Sequence, residues 1–219
     1  FLLAVIFRRR MARLTPRAIR SGLVAGGILA LSFLASTTGL VLTTAGKQAF
    51  ITTAYVVLVP LLLWAGTRRF PGFAAFLAAL LCFGGMSLLT LQGDMSISLG
   101  DGLSLLSALF LALHMLVVER SVRDHDPVSL AVLQIGVVGF VALPLAPFFG
   151  KFPVHVTSAA WVALAYNIFL GTVFALVTQN LAQKYTTSTH TALILSLEGV
   201  FGALAGTLVL AEIFTGKMV

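Results

Sequence analysis

One acidic side chain, Glu198, lies near the middle of a long apolar run, and no other Asp, Glu, Lys or Arg lies well inside any such run of this chain. A charged acid in hydrocarbon costs about 3 kcal/mol, so Glu198 is expected to face protein or water. Two chemistries suit it there: a protonated carboxyl bonded to a neighbouring helix, or a group that exchanges a proton or binds substrate. Thr191 lies seven residues before it and Gly202 four after, which lays a small and polar stripe on its helical face. Tyr55 and Asn167 are further candidates for a polar cavity, although a tyrosine in a packed helix more often belongs to the core with its hydroxyl on a carbonyl. Gln179 and Asn180 read as interhelical glue, at about 0.6 kcal/mol per bond, and His114 as a satisfied histidine near a helix end.

Chemistry that needs several groups in register is missing from the sequence. It contains no Gly-x-Ser-Gly with a partnered His, no His-Glu-x-x-His, no paired Asp motif and no Walker motif. Asp124-His125-Asp126 resembles a ligand set but sits in a charged loop without a further histidine on its side, so a solvated turn is expected and no metal. The single cysteine, Cys82, excludes a disulfide framework and a Cys-rich metal site. No cofactor is expected, and none of the chemistry of an enzyme.

The elements that position these residues follow from composition. The 219 residues are 59% hydrophobic and only 10% charged, well outside the range of soluble domains. Seven apolar runs of bilayer-crossing length fall at about 21 to 42, 48 to 66, 71 to 91, 102 to 118, 128 to 149, 158 to 183 and 188 to 211. None alternates as a barrel strand does, so an all-α polytopic membrane protein is predicted. FLLAVIF precedes the arginines, the reverse of a secretory signal, and reads as the tail of a further span in a fragment.

The net charge of +7 reflects topology more than nucleic acid, and no nucleic-acid partner is expected. Six of the fourteen basic residues are Arg8, Arg9, Arg10, Arg13, Arg17 and Arg20. If these face the cytoplasm, alternation puts Arg68, Arg69, Arg120, Arg123 and Lys184 there as well, with only Lys47, Lys151 and Lys217 opposite. Trp64 and Trp161 then belong to the aromatic belts. Gly22xxxGly26 and Gly202xxxGly206 suit close helix approach, with packing inside the bundle favoured over a homodimer face.

TTAGKQAFITTAYVV (43 to 57) aligns with TTSTHTALILSLEGV (186 to 200), matching Thr43 with Thr186, Thr44 with Thr187, Ala49 with Ala192, Ile51 with Ile194 and Val57 with Val200. Tyr55 thereby corresponds to Glu198, and Lys47 to His190. The two copies are five spans apart and so run in opposite directions, as in the inverted repeats of secondary transporters.

LEGVFGALAGTLVLAEIFT (197 to 215) after TSTHTALILS resembles the end of the second repeat in EamA-type members of the drug/metabolite transporter superfamily. TTAGKQAFITTAYVVLVPLL and GDGLSLLSALFLALHMLVVER resemble the matching part of the first repeat and the start of the second. Gly199 departs from the family, which often has Pro after the Glu. The resemblance implies a helical bundle of two inverted five-helix repeats, here a fragment with about seven complete transmembrane helices. Residues 1–92 would be the remainder of the first repeat, and 93–219 the second without its last helix. It implies a multi-pass protein of the cytoplasmic membrane that carries small metabolites, such as amino acids or related amphipathic compounds, by alternating access. Tyr55, Glu198, Asn167 and Thr191 would line the cavity, with Glu198 as the proton-coupling candidate. A seven-helix receptor or sensory protein and an intramembrane enzyme are the rivals, and no run contains the internal lysine that a retinal Schiff base requires.

Overall fold

The computed structural model describes residues 2–68, 70, 72–90, 98–148 and 157–210. Arg69, Lys151 and Lys217, all used in the topology argument, lie outside the described residues.

Every described element is helical: α1 (Leu2–Ile6), α2 (Arg8–Met11), α3 (Pro16–Leu42), α4 (Ala45–Thr53), α5 (Tyr55–Thr67), α6 (Phe73–Thr90), α7 (Leu99–Asp124), α8 (Pro127–Leu145), a 3₁₀ turn (Ala146–Phe148), α9 (Ser158–Tyr166), a π-helical segment (Asn167–Phe174), α10 (Ala175–Gln183) and α11 (Ser188–Leu210). Among the described residues five helical stretches are long and apolar enough to cross a membrane: Pro16–Leu42, Gly46–Thr67, Leu99–Asp124, Pro127–Phe148 and Ser158–Gln183. Phe73–Gly85 is a shorter apolar stretch. α6 and α11 also coincide with apolar runs of the sequence.

Polar residues at the starts explain the boundaries. Asp126 caps α8, its carboxylate accepting from Ser129 N at 2.9 Å and Ser129 Oγ at 2.7 Å, with Pro127 in the first turn where no N–H is needed. Thr44 and Thr157 cap α4 and α9 through the N–H groups of Lys47 and Ala160. At its other end α5 stops on Arg68, whose φ of 54° is left-handed. Pro60 interrupts α5 from within: it has no N–H to offer the Val56 carbonyl, and its ring crowds that carbonyl. The separation of α4 from α5 at Ala54 falls just ahead of this weak point.

The chain divides into two compact units, with divisions inside α3, inside α7 and between α10 and α11. The first unit comprises Phe1–Ala30 and Val117–Thr186. Its buried cluster is Ala25, Val118, Val122 and Leu130. Gly22xxxGly26 works here as a packing device within the bundle, because a Cβ on Gly22 would fall 2.6 Å from Leu133 Cδ1 and one on Gly26 2.8 Å from Val137 Cβ. Asn180 Nδ2 donates to the Pro127 carbonyl at 3.2 Å, so α10 is tied to the start of α8 by the expected glue.

The second unit comprises Leu31–Leu116 and Thr187–Val219. Its cluster is Val59, Ala112, Met115 and Ala192, with Tyr55, Leu58 and Leu62 against it. α5 and α11 both pack on α6, and Phe50 stacks on Phe83 with centroids 4.8 Å apart. Ser188 Oγ donates to the Met115 carbonyl at 2.9 Å, which anchors α11 on α7. The inner end of the second GxxxG, Gly202 and Gly206, lies beyond the residues whose packing is described. Repeats and compact units are different divisions: each unit draws residues from both sides of position 92.

Candidate functional site

Tyr55 is the first residue of α5, immediately after the break at Ala54, and is half-buried. Glu198 is on α11, which packs directly on α5, and the two side chains are close enough to interact electrostatically. Glu198 is exposed within the chain, and among the described residues it makes no hydrogen bond or ion pair. The reading of Glu198 as a carboxyl bonded to a neighbouring helix therefore finds no bond here. Since exposure to lipid would be costly, its free face suits water, a ligand or another polar element.

Thr191 is buried on α11, and its hydroxyl donates to the Thr187 carbonyl at 3.0 Å. This back-bond uses the hydroxyl's one hydrogen, so the oxygen can serve a further partner only as an acceptor. Asn167 is placed differently: it is exposed at the start of the π segment in the first unit, with its Oδ1 3.4 Å from where a Gly171 Cβ would stand. Tyr55, Thr191 and Glu198 thus share the second unit, and Asn167 belongs to the first. His114 is buried in α7 rather than at a helix end.

A second polar constellation in the same unit escaped the reading of single positions. Asp101, in the first turn of α7, accepts from Lys47 Nζ at 2.6 Å, Thr43 Oγ1 at 2.8 Å and Ser98 N at 2.8 Å. Lys47 and Asp101 side chains are only 17% and 8% exposed, so this is a buried ion pair with further donors on the carboxylate, the condition under which such a pair holds. It joins the end of α3 and the starts of α4 and α7. Beneath it the same two helices touch through small residues. A Cβ on Gly100 would lie 2.7 Å from the Leu42 carbonyl carbon and 2.8 Å from Gly39 O, and Ser32 Oγ donates to the Ser107 carbonyl at 3.0 Å. The signal in the sequence was the opposite sign of Lys47 and Asp101, each at the edge of an apolar run.

In the first unit, Arg10 Nη1 meets Asp126 Oδ1 at 3.1 Å across an exposed surface, and Arg123 pairs with Glu119 at 2.7 Å. Partial burial pushes the Asp126 carboxyl up. The Ser129 hydroxyl and N–H, with Arg10 and Lys184 nearby, outweigh it and hold the group below the usual carboxylate range. The Asp124-His125-Asp126 run therefore serves as a helix cap and tether.

The helical architecture of the described residues, with five stretches long and apolar enough to cross a membrane, narrows the field to polytopic membrane proteins, and comparison with known proteins decides among them. The EamA-like transporter family matches residues 98–219. The chain belongs to this family. The family is one of transporters, and the long apolar helices fit a multi-pass membrane protein. An "Uncharacterized transporter" of Archaeoglobus fulgidus is 36% identical over 186 residues, a match that covers 84% of this chain and 59% of that protein. The chain thus spans well under two thirds of that relative's length. A protein of known crystal structure superposes with a TM-score of 0.73 at 12% identity, covering 99% of this chain and 86% of that one, which is a likeness of fold.

Proposed function

We propose that this EamA-like chain forms most of a secondary carrier that moves small metabolites, amino acids or related amphipathic compounds, across the cytoplasmic membrane by alternating access. The observation that carries the proposal is the pairing of Tyr55 with Glu198. They hold equivalent positions in the two sequence copies, they lie within electrostatic reach of each other in one unit, and the acid makes no hydrogen bond or ion pair among the described residues. In an inverted-repeat carrier the equivalent positions of the two copies converge near the midplane, where substrate binds.

In this mechanism Glu198 binds a cationic group of the substrate or a proton, and the Tyr55 hydroxyl offers a donor and an acceptor beside it. Thr191 shapes the polar stripe two turns away on the same helical face, and Asn167 is a separate polar candidate of the first unit. The seven helices that coincide with the apolar runs then act as seven spans of a ten-helix, two-repeat protein. The arginine-rich stretch faces the cytoplasm by charge bias.

Uptake or efflux of a radiolabelled metabolite panel in vesicles of the full-length protein tests the reading. Glu198→Gln keeps size and removes titration. It is expected to fold, to lose at least tenfold of pH-gradient-driven transport, and to keep exchange of substrate down its own gradient. Unchanged gradient dependence in Glu198→Gln ends the coupling role, and no transport of any metabolite by wild type ends the carrier reading.

A further inference from the structure

We propose that the arginine-rich end of the first unit is a docking surface for anionic phospholipid headgroups. Arg8, Arg9, Arg10, Arg13, Arg17 and Arg20 are all exposed, as are Arg120, Arg123 and Lys184 of the same unit. The acids described there are Glu119, Asp124 and Asp126, so nine cations stand against three carboxylates. Two of the carboxylates are already engaged, Glu119 with Arg123 and Asp126 with Arg10. Among the described residues no ion pair neutralises Arg8, Arg9, Arg13, Arg17 or Arg20.

The Arg10–Asp126 contact gives this excess a fixed place. It holds α2 against the cap of α8, so the arginines on either side are presented from an ordered segment. A cavity of about 450 Å³ opens beside the contact, lined by Arg10, Arg13, Asp124 and Asp126 among others. Its two carboxylates repel a phosphate from the interior, which assigns the phosphates to the outward-facing guanidinium groups. Arg matches phosphate oxygens bidentately, and it does so without losing its charge at any physiological pH.

What bounds the patch selects a lipid over other polyanions. Val5 and Ile6, just before α2, are 53% and 61% exposed, and Ile19 among the arginines is 40% exposed. A basic cluster edged with exposed aliphatic side chains suits the boundary between headgroups and acyl chains. A nucleic acid or a free anion has no use for that edge. Because lipid retention is measured without transport, the proposal stands or falls separately from the carrier reading.

The test uses the full-length protein in mild detergent, titrated with equimolar phosphatidylglycerol and phosphatidylcholine, with bound lipids counted by native mass spectrometry. Wild type is expected to retain phosphatidylglycerol preferentially, and the preference should weaken between 0.05 and 0.5 M salt, which are chosen test conditions of roughly 14 and 4 Å screening length. Arg8→Gln, Arg9→Gln and Arg13→Gln combined should cut the preference by about fivefold per arginine, whereas the matching Lys triple keeps most of it. Equal retention of the two lipids by wild type, or no loss of preference in the Gln triple, overturns the proposal. So does displacement of the lipid by glycerol 3-phosphate or by a single-stranded oligonucleotide at the same concentration, which would assign the surface to free phosphate or to nucleic acid. If the Gln triple does not fold, the salt dependence of wild type decides alone.

Discussion

Two stretches of this chain are indistinguishable by length and mean hydropathy, and they end in opposite environments. Leu99–Asp124 and Ser158–Gln183 each have 26 residues, yet 44% of the most apolar window is buried in the first and 6% in the second. What separates them is side-chain size along one face. Besides His114, Glu119 and Ser121, the buried positions of α7 run Gly100, Asp101, Ser104, Ser107, Ala108, Ala112, Met115, Val118 and Val122, a stripe of mostly small residues at helical spacing that lets neighbours approach. The α9 and π-segment portion instead carries Trp161, Val162, Tyr166, Phe169 and Phe174 exposed, and its buried residues, Leu176, Asn180 and Gln183, appear only in α10. Without a hydrophobic effect to drive helices together in lipid, small residues and polar bonds choose the interior. Hydropathy chooses only which segments enter the membrane.

The contrast can be broken most severely at the buried ion pair. Lys47→Met leaves the Asp101 carboxylate without its cation at the junction of three helices, and the melting temperature in detergent should drop more than for any other single change discussed here. Lys47→Arg, which keeps a cation within reach, should recover much of the loss. Equal melting of Lys47→Met and wild type would show that the pair contributes nothing to the interior of this unit.

Matched glycine substitutions sharpen the comparison itself. Gly100→Ala drives a Cβ into backbone of α3 and is expected to cost about 1–3 kcal/mol. Gly171→Ala in the π segment meets nothing nearer than Asn167 Oδ1 at 3.4 Å and should change stability by about 0.5 kcal/mol or less. Thermal unfolding of the two variants side by side checks this, and similar costs would remove the physical basis of the contrast.

A smaller effect is expected at the exposed end of α8. Asp126→Ala removes the cap and should cost about 1 kcal/mol at neutral pH. Because the folded-state pKa of Asp126 lies below its ordinary value of 3.8, its charged form is favoured by folding. That contribution is whole above the ordinary value and fades as pH falls through the lowered one. The stability gap between wild type and Asp126→Ala should therefore hold from neutral pH to about pH 4 and narrow below it. A gap that widens on acidification would contradict the direction of the shift.

Much of the architecture was legible in the sequence because bilayer length and charge bias act on single segments. Every apolar run is helical where it is described, some of them in pieces, the caps Thr44, Asp126 and Thr157 sit where polar residues precede apolar ones, and Gly22xxxGly26 packs as its spacing predicts. The family was legible for a related reason, since the order of spans and their polar lead-ins survive as local patterns. The Lys47–Asp101 junction was harder because it depends on which helices become neighbours, and a one-dimensional reading gives only the side of the membrane. The π segment left no recognisable mark, since a shift of hydrogen-bond register by one residue alters no side-chain type. Of the candidate cavity residues, Glu198 stood out as the lone acid within an apolar run and Tyr55 as its counterpart in the repeat, whereas Asn167 rested on polarity alone and stands in the other unit.

The proline within α5 has a mechanical consequence. By covalent structure alone Pro60 withholds a donor from the Val56 carbonyl, and the helix has already parted at Ala54. A rod that bends must normally surrender hydrogen bonds at the bend, and this one has surrendered them before any motion begins. Its stiffness is therefore lowest beside Tyr55, and flexing there has a smaller activation barrier than flexing at any unbroken turn of the same span. In the carrier mechanism proposed above, replacing Pro60 would then act on the rate of switching between the two faces of the membrane, while leaving the affinity of either face nearly as it was.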